Sequence, residues 1–277
     1  MRIRKAAVAG RFYPDNPIEI TQQLSQITEK EKYRMDLPLA EKKIIGAVLP
    51  HAGYMFSAYQ AVHFFEILRQ SRETFDTFFI INPNHTGYGT EMAFDENDFW
   101  ATPFGKVMID KDFYNLMDIT ESEEAHKYEH SGEVLVPMLQ YFLNYSFRIV
   151  PITMMKQNPK NASYLAKTIM DANKFLKKKI CLLASSDFSH FVNPEQGRKD
   201  DQHVLDAISK LNSEDIFHEV RNRNISVCGY GPIMTLVDYA LMVSDKPEMC
   251  ILKRGHSGEI IPSGEVVDYI SILFYEN

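Results

Sequence analysis

Lys42-Lys43-Ile44-Ile45-Gly46-Ala47-Val48-Leu49-Pro50-His51 is the stretch from which the fold is read. An unbroken apolar run, bounded by two lysines and then by proline, suits a strand of a parallel sheet buried on both faces. Working outward, Phe56, Tyr59, Val62, Phe65 and Ile67 recur at near-helical spacing, so a helix is expected over 54–69. A second strand over 77–81 ends at Asn82-Pro83-Asn84-His85. The pattern repeats with a helix over 134–143, a strand over 147–153, a helix over 162–176 and a strand over 180–184 that runs into Ser185-Ser186-Asp187-Phe188-Ser189-His190. This alternation predicts an α/β fold with a mostly parallel central sheet flanked by helices on both faces. Helices over 202–211 and 233–243 and strands over 249–253 and 266–274 complete the chain, the tail pairing at a sheet edge.

The chain has 277 residues, 45% of them hydrophobic, enough for one sizeable core, and no linker divides it. A single domain over residues 1–277 is expected. The net charge of -7 argues against a broad nucleic-acid surface. No signal peptide opens the sequence and no apolar run reaches about 18 residues, so a cytoplasmic protein without a membrane partner is expected. Cys181, Cys228 and Cys250 are far apart, with neither a disulfide framework nor zinc-finger spacing. Cys181 and Cys250 lie in apolar strands and read as small hydrophobes.

In open α/β sheets, ligands bind beyond the carboxyl ends of the strands. Three predicted strands end at His51, at His85 and at Asp187 with His190. Cys228 precedes Gly229-Tyr230-Gly231-Pro232 and a predicted helix, whose positive end would favour a thiolate able to serve as nucleophile or metal ligand. In Glu129-His130-Ser131-Gly132-Glu133, Ser131 reads as a helix cap and Glu133 as a first-turn acid, while His130 either reaches the site or a ligand carboxylate or stands in solvent. His63, His126, His203, His218 and His256 read as structural or solvated.

Taken together, Gly10-Arg11-Phe12-Tyr13-Pro14, Pro50-His51-Ala52-Gly53-Tyr54, Asn82-Pro83-Asn84-His85, Glu129-His130-Ser131-Gly132-Glu133, Ser185-Ser186-Asp187-Phe188-Ser189-His190 and Cys228-Gly229 resemble the Memo family, also called AmmeMemoRadiSam system protein B. That family resembles class III extradiol dioxygenases in fold. The resemblance implies His51, His85 and Cys228 as metal ligands, with Asp187 and His190 beside them as the acid/base pair, His190 oriented by Asp187. Tyr54, His130 and Glu133, within the matched motifs, are expected to face the substrate. The dioxygenases hold iron(II) with two histidines and a glutamate; here cysteine stands in the carboxylate's place. The sequence departs from the commoner family pattern at Phe12, Phe56, Thr86 and Leu135, where Trp, Tyr, His and His are frequent. The last two remove candidate bases and leave His190 as the stronger choice for proton transfer.

Two imidazoles and a thiolate suit one transition-metal ion and by ligand type leave iron(II), copper and zinc open; with the family resemblance, iron(II) or copper is favoured, with zinc possible. The functions open at this point are a metal-dependent oxidoreductase acting on an unknown small molecule, a non-catalytic metal-binding or peptide-binding scaffold, and a cysteine hydrolase built on Cys228, His190 and Asp187. The family's name implies functional association with AMMECR-type and radical SAM proteins.

Overall fold

The computed structural model describes residues 1–277. A short strand β1 (Ile3–Arg4) and helix α1 (Pro17–Glu31) precede the apolar run, which forms β2 (Lys43–Leu49). Helix α1 adds to the expected elements, although its signals are present: Asn16 caps it through the Ile18 N–H, Pro17 opens it, and Ile20, Leu24 and Ile27 form its buried stripe. Next come α2 (Tyr54–Gln70), β3 (Thr77–Pro83), and four short strands, β4 (Met92–Phe94), β5 (Phe99–Thr102), β6 (Gly105–Met108) and β7 (Thr120–Glu121). Helices α3 (Glu123–Lys127) and α4 (Leu135–Phe142) lead into β8 (Arg148–Met154), α5 (Pro159–Leu176), β9 (Ile180–Ser185) and β10 (His190–Val192). Three helices, α6 (Pro194–Ser209), α7 (Ser213–Asn222) and α8 (Tyr230–Val243), precede the closing strands β11 (Pro247–His256) and β12 (Val266–Glu276).

The main sheet has nine strands in the order β10-β12-β2-β9-β3-β8-β4-β7, with β11 also paired to β12. Its centre, β2-β9-β3-β8, is parallel, as the buried apolar runs predict. The flanks are antiparallel: β12 runs against β2 and β11, and β4 runs against β8. The tail does reach a sheet edge, where β11 shields β12 from being the outermost strand. A separate small sheet joins β1, β5 and β6.

Residues alternate between two apolar cores. Phe78, Ile80 and Leu183 face α1, α2 and α4, while Phe79, Ile81 and Leu182 face α5, α6, α7 and α8. Each core holds 36 buried residues, so the sheet is the middle layer of three. In β2 the alternation slips at a bulge, where the β12 register moves from Phe274 opposite Gly46 to Tyr275 opposite Ile44. Ile44 and Leu49 then face one core and Ile45 and Val48 the other. Gly46 is required there, because a Cβ would stand 2.2 Å from the Leu182 carbonyl oxygen. No helix is long and apolar enough to cross a membrane.

Candidate metal centre

The loops that follow β2, β3 and β9 carry His51, His85 and Asp187 to one end of the parallel strands, and the turn before α8 brings Cys228 against them. His51 is buried, and its backbone N–H donates to Asp187 Oδ1 at 2.8 Å. Its Nδ1 lies 2.8 Å from Ser185 Oγ, whose single proton goes to the Ser131 carbonyl oxygen at 2.6 Å. Ser185 therefore accepts from Nδ1–H, and His51 Nε2 keeps its lone pair. That Nε2 lies 3.2 Å from Cys228 Sγ. Burial first, then the neighbouring His85, His130 and His190, holds the His51 imidazole well below its ordinary range and so neutral.

His85 is fixed by the same device with a carboxylate. Its backbone N–H and Nδ1 both meet Glu129, at 2.6 and 3.0 Å, and Glu129 also accepts from Ser131 N and Oγ at 3.0 and 2.7 Å. Burial would raise the Glu129 carboxyl, but the bonds from His85 and Ser131 outweigh it and hold the group at about 2. The carboxylate fixes the proton on Nδ1, leaving His85 Nε2 unengaged.

Cys228 Sγ accepts the Asp187 backbone N–H at 3.2 Å. The expected lowering by the α8 dipole is overridden: burial, then the Asp187 charge, pushes the thiol well above its ordinary range. Gly229 permits the close approach of this turn to β9, since a Cβ would sit 2.2 Å from the Ser185 carbonyl oxygen. Donor atoms of His51, His85 and Cys228 lie within 4.8 Å of one another.

His130 completes the constellation, its ring 4.8 Å from that of His85, 5.5 Å from that of His51 and 4.7 Å from that of Phe12. Burial pushes it down to about 4, so it stands as a neutral imidazole. Asp187, pushed up to about 6 by burial, holds His51 rather than His190. The expected orientation of His190 by Asp187 is therefore replaced: His190 N–H donates to Ser226 Oγ at 2.7 Å and its Nδ1–H to the Ser226 carbonyl at 2.8 Å.

Two residues expected to face a substrate commit their polar atoms to the fold. Tyr54 is buried and donates its hydroxyl proton to the Val134 carbonyl at 2.6 Å. Glu133 accepts from Arg4 at 2.6 Å, Ala7 N at 2.8 Å, Val8 N at 3.0 Å and Tyr13 OH at 2.7 Å, tying the N-terminus to the site loop. Ser131 does not cap α4, whose first residue is Leu135, but bonds Glu129 and the Pro83 carbonyl. Sequence reasoning missed the roles of Glu129, Ser185 and Ser226; Glu129 and Ser185 stand in matched motifs, but nothing in spacing pairs Glu129 with His85 or Ser185 with His51. His126, read as structural or solvated, is buried with Nε2 3.0 Å from the Ala93 carbonyl, while Cys181 is buried and Cys250 only half-buried.

Fold and cluster define a class: three-layer α/β proteins with imidazoles and a thiol converging beyond the carboxyl ends of the parallel strands. The Memo-like protein family model matches residues 4–273, and the chain belongs to that family. It is 35% identical over 274 residues to a MEMO1 family protein of Methanococcoides burtonii, covering 98% of this chain and 99% of that one. MEMO1 family proteins of Archaeoglobus fulgidus and Sulfolobus acidocaldarius are each 36% identical, again over 98% of this chain and 99% of theirs. Among solved structures, an uncharacterized protein of Escherichia coli K12 shares the fold with a TM-score of 0.54 at 11% identity, covering 83% of this chain and 99% of that one.

Proposed function

We propose that His51 Nε2, His85 Nε2 and Cys228 Sγ hold one transition-metal ion, iron(II) or copper ahead of zinc, and that the protein is a metal-dependent oxidoreductase of dioxygenase-like type. The observation that carries this reading is the aim of the lone pairs: each imidazole is anchored through Nδ1–H, by Ser185 and by Glu129, so that Nε2 is the nitrogen left for a ligand. The donor set fits the group, since two imidazole nitrogens and a thiolate match the softness of first-row transition ions. A bound ion would supply redox chemistry and stabilise negative charge on a substrate oxygen.

The chain's own residues supply the rest. His190, with Nδ1–H fixed on Ser226, presents Nε2 for proton transfer at the site's half-buried rim. His130 offers a neutral imidazole beside the proposed ligands, and Phe12 packs over it to limit water. A groove of about 500 Å³, lined by Arg11, Phe12, Gly53, Met55 and Phe56 among others, adjoins the cluster through Phe12 and is the proposed entry for a small molecule or a peptide. The hydrolase reading loses support because Cys228 meets His51, and His190 bonds neither Asp187 nor the thiol.

Protein purified without oxygen is expected to carry about one metal per chain, and its iron(II) form is expected to bind nitric oxide. A His190→Ala variant should keep its metal and lose any oxygen-dependent turnover. Metal without probe binding, with His130 as a fourth ligand, would turn the reading to the scaffold. Unchanged metal content in the three ligand variants would remove the site altogether.

A further inference from the structure

Beneath His190 lies a second polar cluster that the proposed chemistry does not use. Asp201 of α6 is fully buried, and its Oδ1 accepts from both Ser189 N, at 3.0 Å, and Ser189 Oγ, at 2.6 Å. Asp268 of β12 grips the same residue through its backbone, its N–H donating to the Ser189 carbonyl at 2.8 Å while its own carbonyl accepts Phe188 N–H at 2.9 Å. The Oδ2 atom of each is buried without a hydrogen-bond donor, and the Asp201 carboxyl stands close enough to help raise that of Asp268. Two neighbouring buried carboxylates would repel and hold no proton to place between them. We propose that Asp201 and Asp268 share one proton, and that this pair positions His190 through Ser189. The inference about His190 rests on its acid/base role; the shared proton does not.

The surroundings are built for the pair. Gly197 of α6 leaves room for Asp268, since a Cβ there would come 2.3 Å from its Oδ2. A cavity of about 350 Å³ opens on Asp268, and the charged or titratable groups facing it are Glu195 and Arg198 of α6, Arg254 and His256 of β11, and Glu259 in the turn after it. Arg254 stands 3.6 Å from Asp201 Oδ2, balancing the single negative charge of the protonated pair. Burial, then the bond to Asp201 and its charge, pushes Asp268 up to about 8. The pair therefore keeps one proton near neutral pH, while Asp201 Oδ1 still accepts from Ser189. Just beyond, Phe191 takes a left-handed φ of 57°, a strained turn that needs such anchoring on both sides.

The sign of the pH effect follows. The native state binds a proton that the unfolded chain releases above a carboxyl's ordinary range of about 4, so the pair's contribution to stability is greatest at low pH and falls as pH rises toward 8. Infrared difference spectra of the full-length protein should show a protonated-carboxyl band at pH 6.5 that is absent in Asp268→Asn, whose amide can donate to Asp201 without titrating. Between pH 5 and pH 7.5, with one proton linked to folding, the wild-type folding constant should lose about tenfold more per pH unit than that of Asp268→Asn. A pH titration of the His190 imidazole resonance should show a second inflection near 8 in the wild type and none in Asp268→Asn. Asp201→Asn is the second variant: burial still raises Asp268, but loss of the shared carboxylate should shift the band and flatten the slope. A wild type without the band, or equal slopes in all three proteins, would overturn the shared proton. The band without the His190 inflection would overturn the positioning role. Metal content tests the proposed function separately, since neither residue touches a proposed ligand.

Discussion

At the amino ends of the parallel strands, Thr77 of β3, Arg148 of β8 and Lys178 before β9 converge on the fully buried Asp110; at the carboxyl ends of the same strands, Ser185, Glu129 and Asp187 converge on His51 and His85. Lys178 meets both Asp110 oxygens at 2.8 Å, and Arg148 adds a bond at 3.3 Å. A cavity of about 790 Å³ opens there, larger than the groove of about 500 Å³ beside the candidate metal centre. Size alone would place the chemistry at the amino end, away from the proposed ligands. At the amino end, opposite charges saturate one another, whereas at the carboxyl end the acceptors fix imidazole protons and leave Nε2 lone pairs and a thiol facing each other. What distinguishes a site from a structural ion network is the donor atom left without a protein partner.

The sharpest way to break this contrast is to remove a proposed ligand. Cys228→Ala, His51→Ala and His85→Ala should each weaken metal affinity by roughly 1000-fold, because ~10–16 kcal/mol of binding divided over a few ligands places several on each. Competition with a chromophoric chelator measures it, and affinities within tenfold of wild type would erase the distinction. At the other end, Asp110→Ala should leave metal stoichiometry intact and cost about 3 kcal/mol of stability in urea, because charge-assisted bonds to Lys178, Arg148 and Thr77 are lost. A metal defect in Asp110→Ala would mean that the two ends are coupled.

Glu129→Gln sharpens the role of the carboxyl-end acceptors. Loss of the anchor on His85 Nδ1–H should lower metal affinity about 10–100-fold without unfolding the chain. The smallest effect is on pH. Burial keeps the Cys228 thiol protonated at neutrality, so metal uptake must release that proton and affinity should rise about tenfold per pH unit between 6 and 8. Isothermal titration in buffers of different ionisation enthalpy counts the proton, and a count of zero would show the thiol already ionised or not a ligand.

The parallel centre is legible because Ile44 to Leu49, Thr77 to Ile81 and Ile180 to Ala184 are apolar runs buried on both faces. The loop positions of His51 and His85 follow from where those runs stop. The antiparallel flanks are less legible, since β4 and β7 have three and two residues and carry little periodicity of their own. Helix α1 escapes a reading by apolar runs because polar residues dominate it, and its buried stripe of Ile20, Leu24 and Ile27 sits among Gln, Glu and Thr. Within the site, residue types point to imidazole and thiol, but the acceptors that aim them come from contacts across 44 and 134 positions, which no local pattern encodes. Glu133 departs from its expected role for the same reason: its partners Arg4, Val8 and Tyr13 lie 120 or more positions away.

The 177 positions between His51 and Cys228 also bear on how the protein matures. No two of the proposed ligands are near neighbours in sequence, so a nascent chain offers no chelating hairpin of the kind that lets zinc nucleate a small finger. The donors meet only after β2, β9 and β3 have paired and α8 has docked, and such long-range closures come late and slowly. A metal ion would then act on the finished chain, slowing its escape from the native state rather than guiding it there. On the proposed site, metallation would be a record that folding is complete, and a stalled or truncated chain lacking the α8 segment would go unmarked.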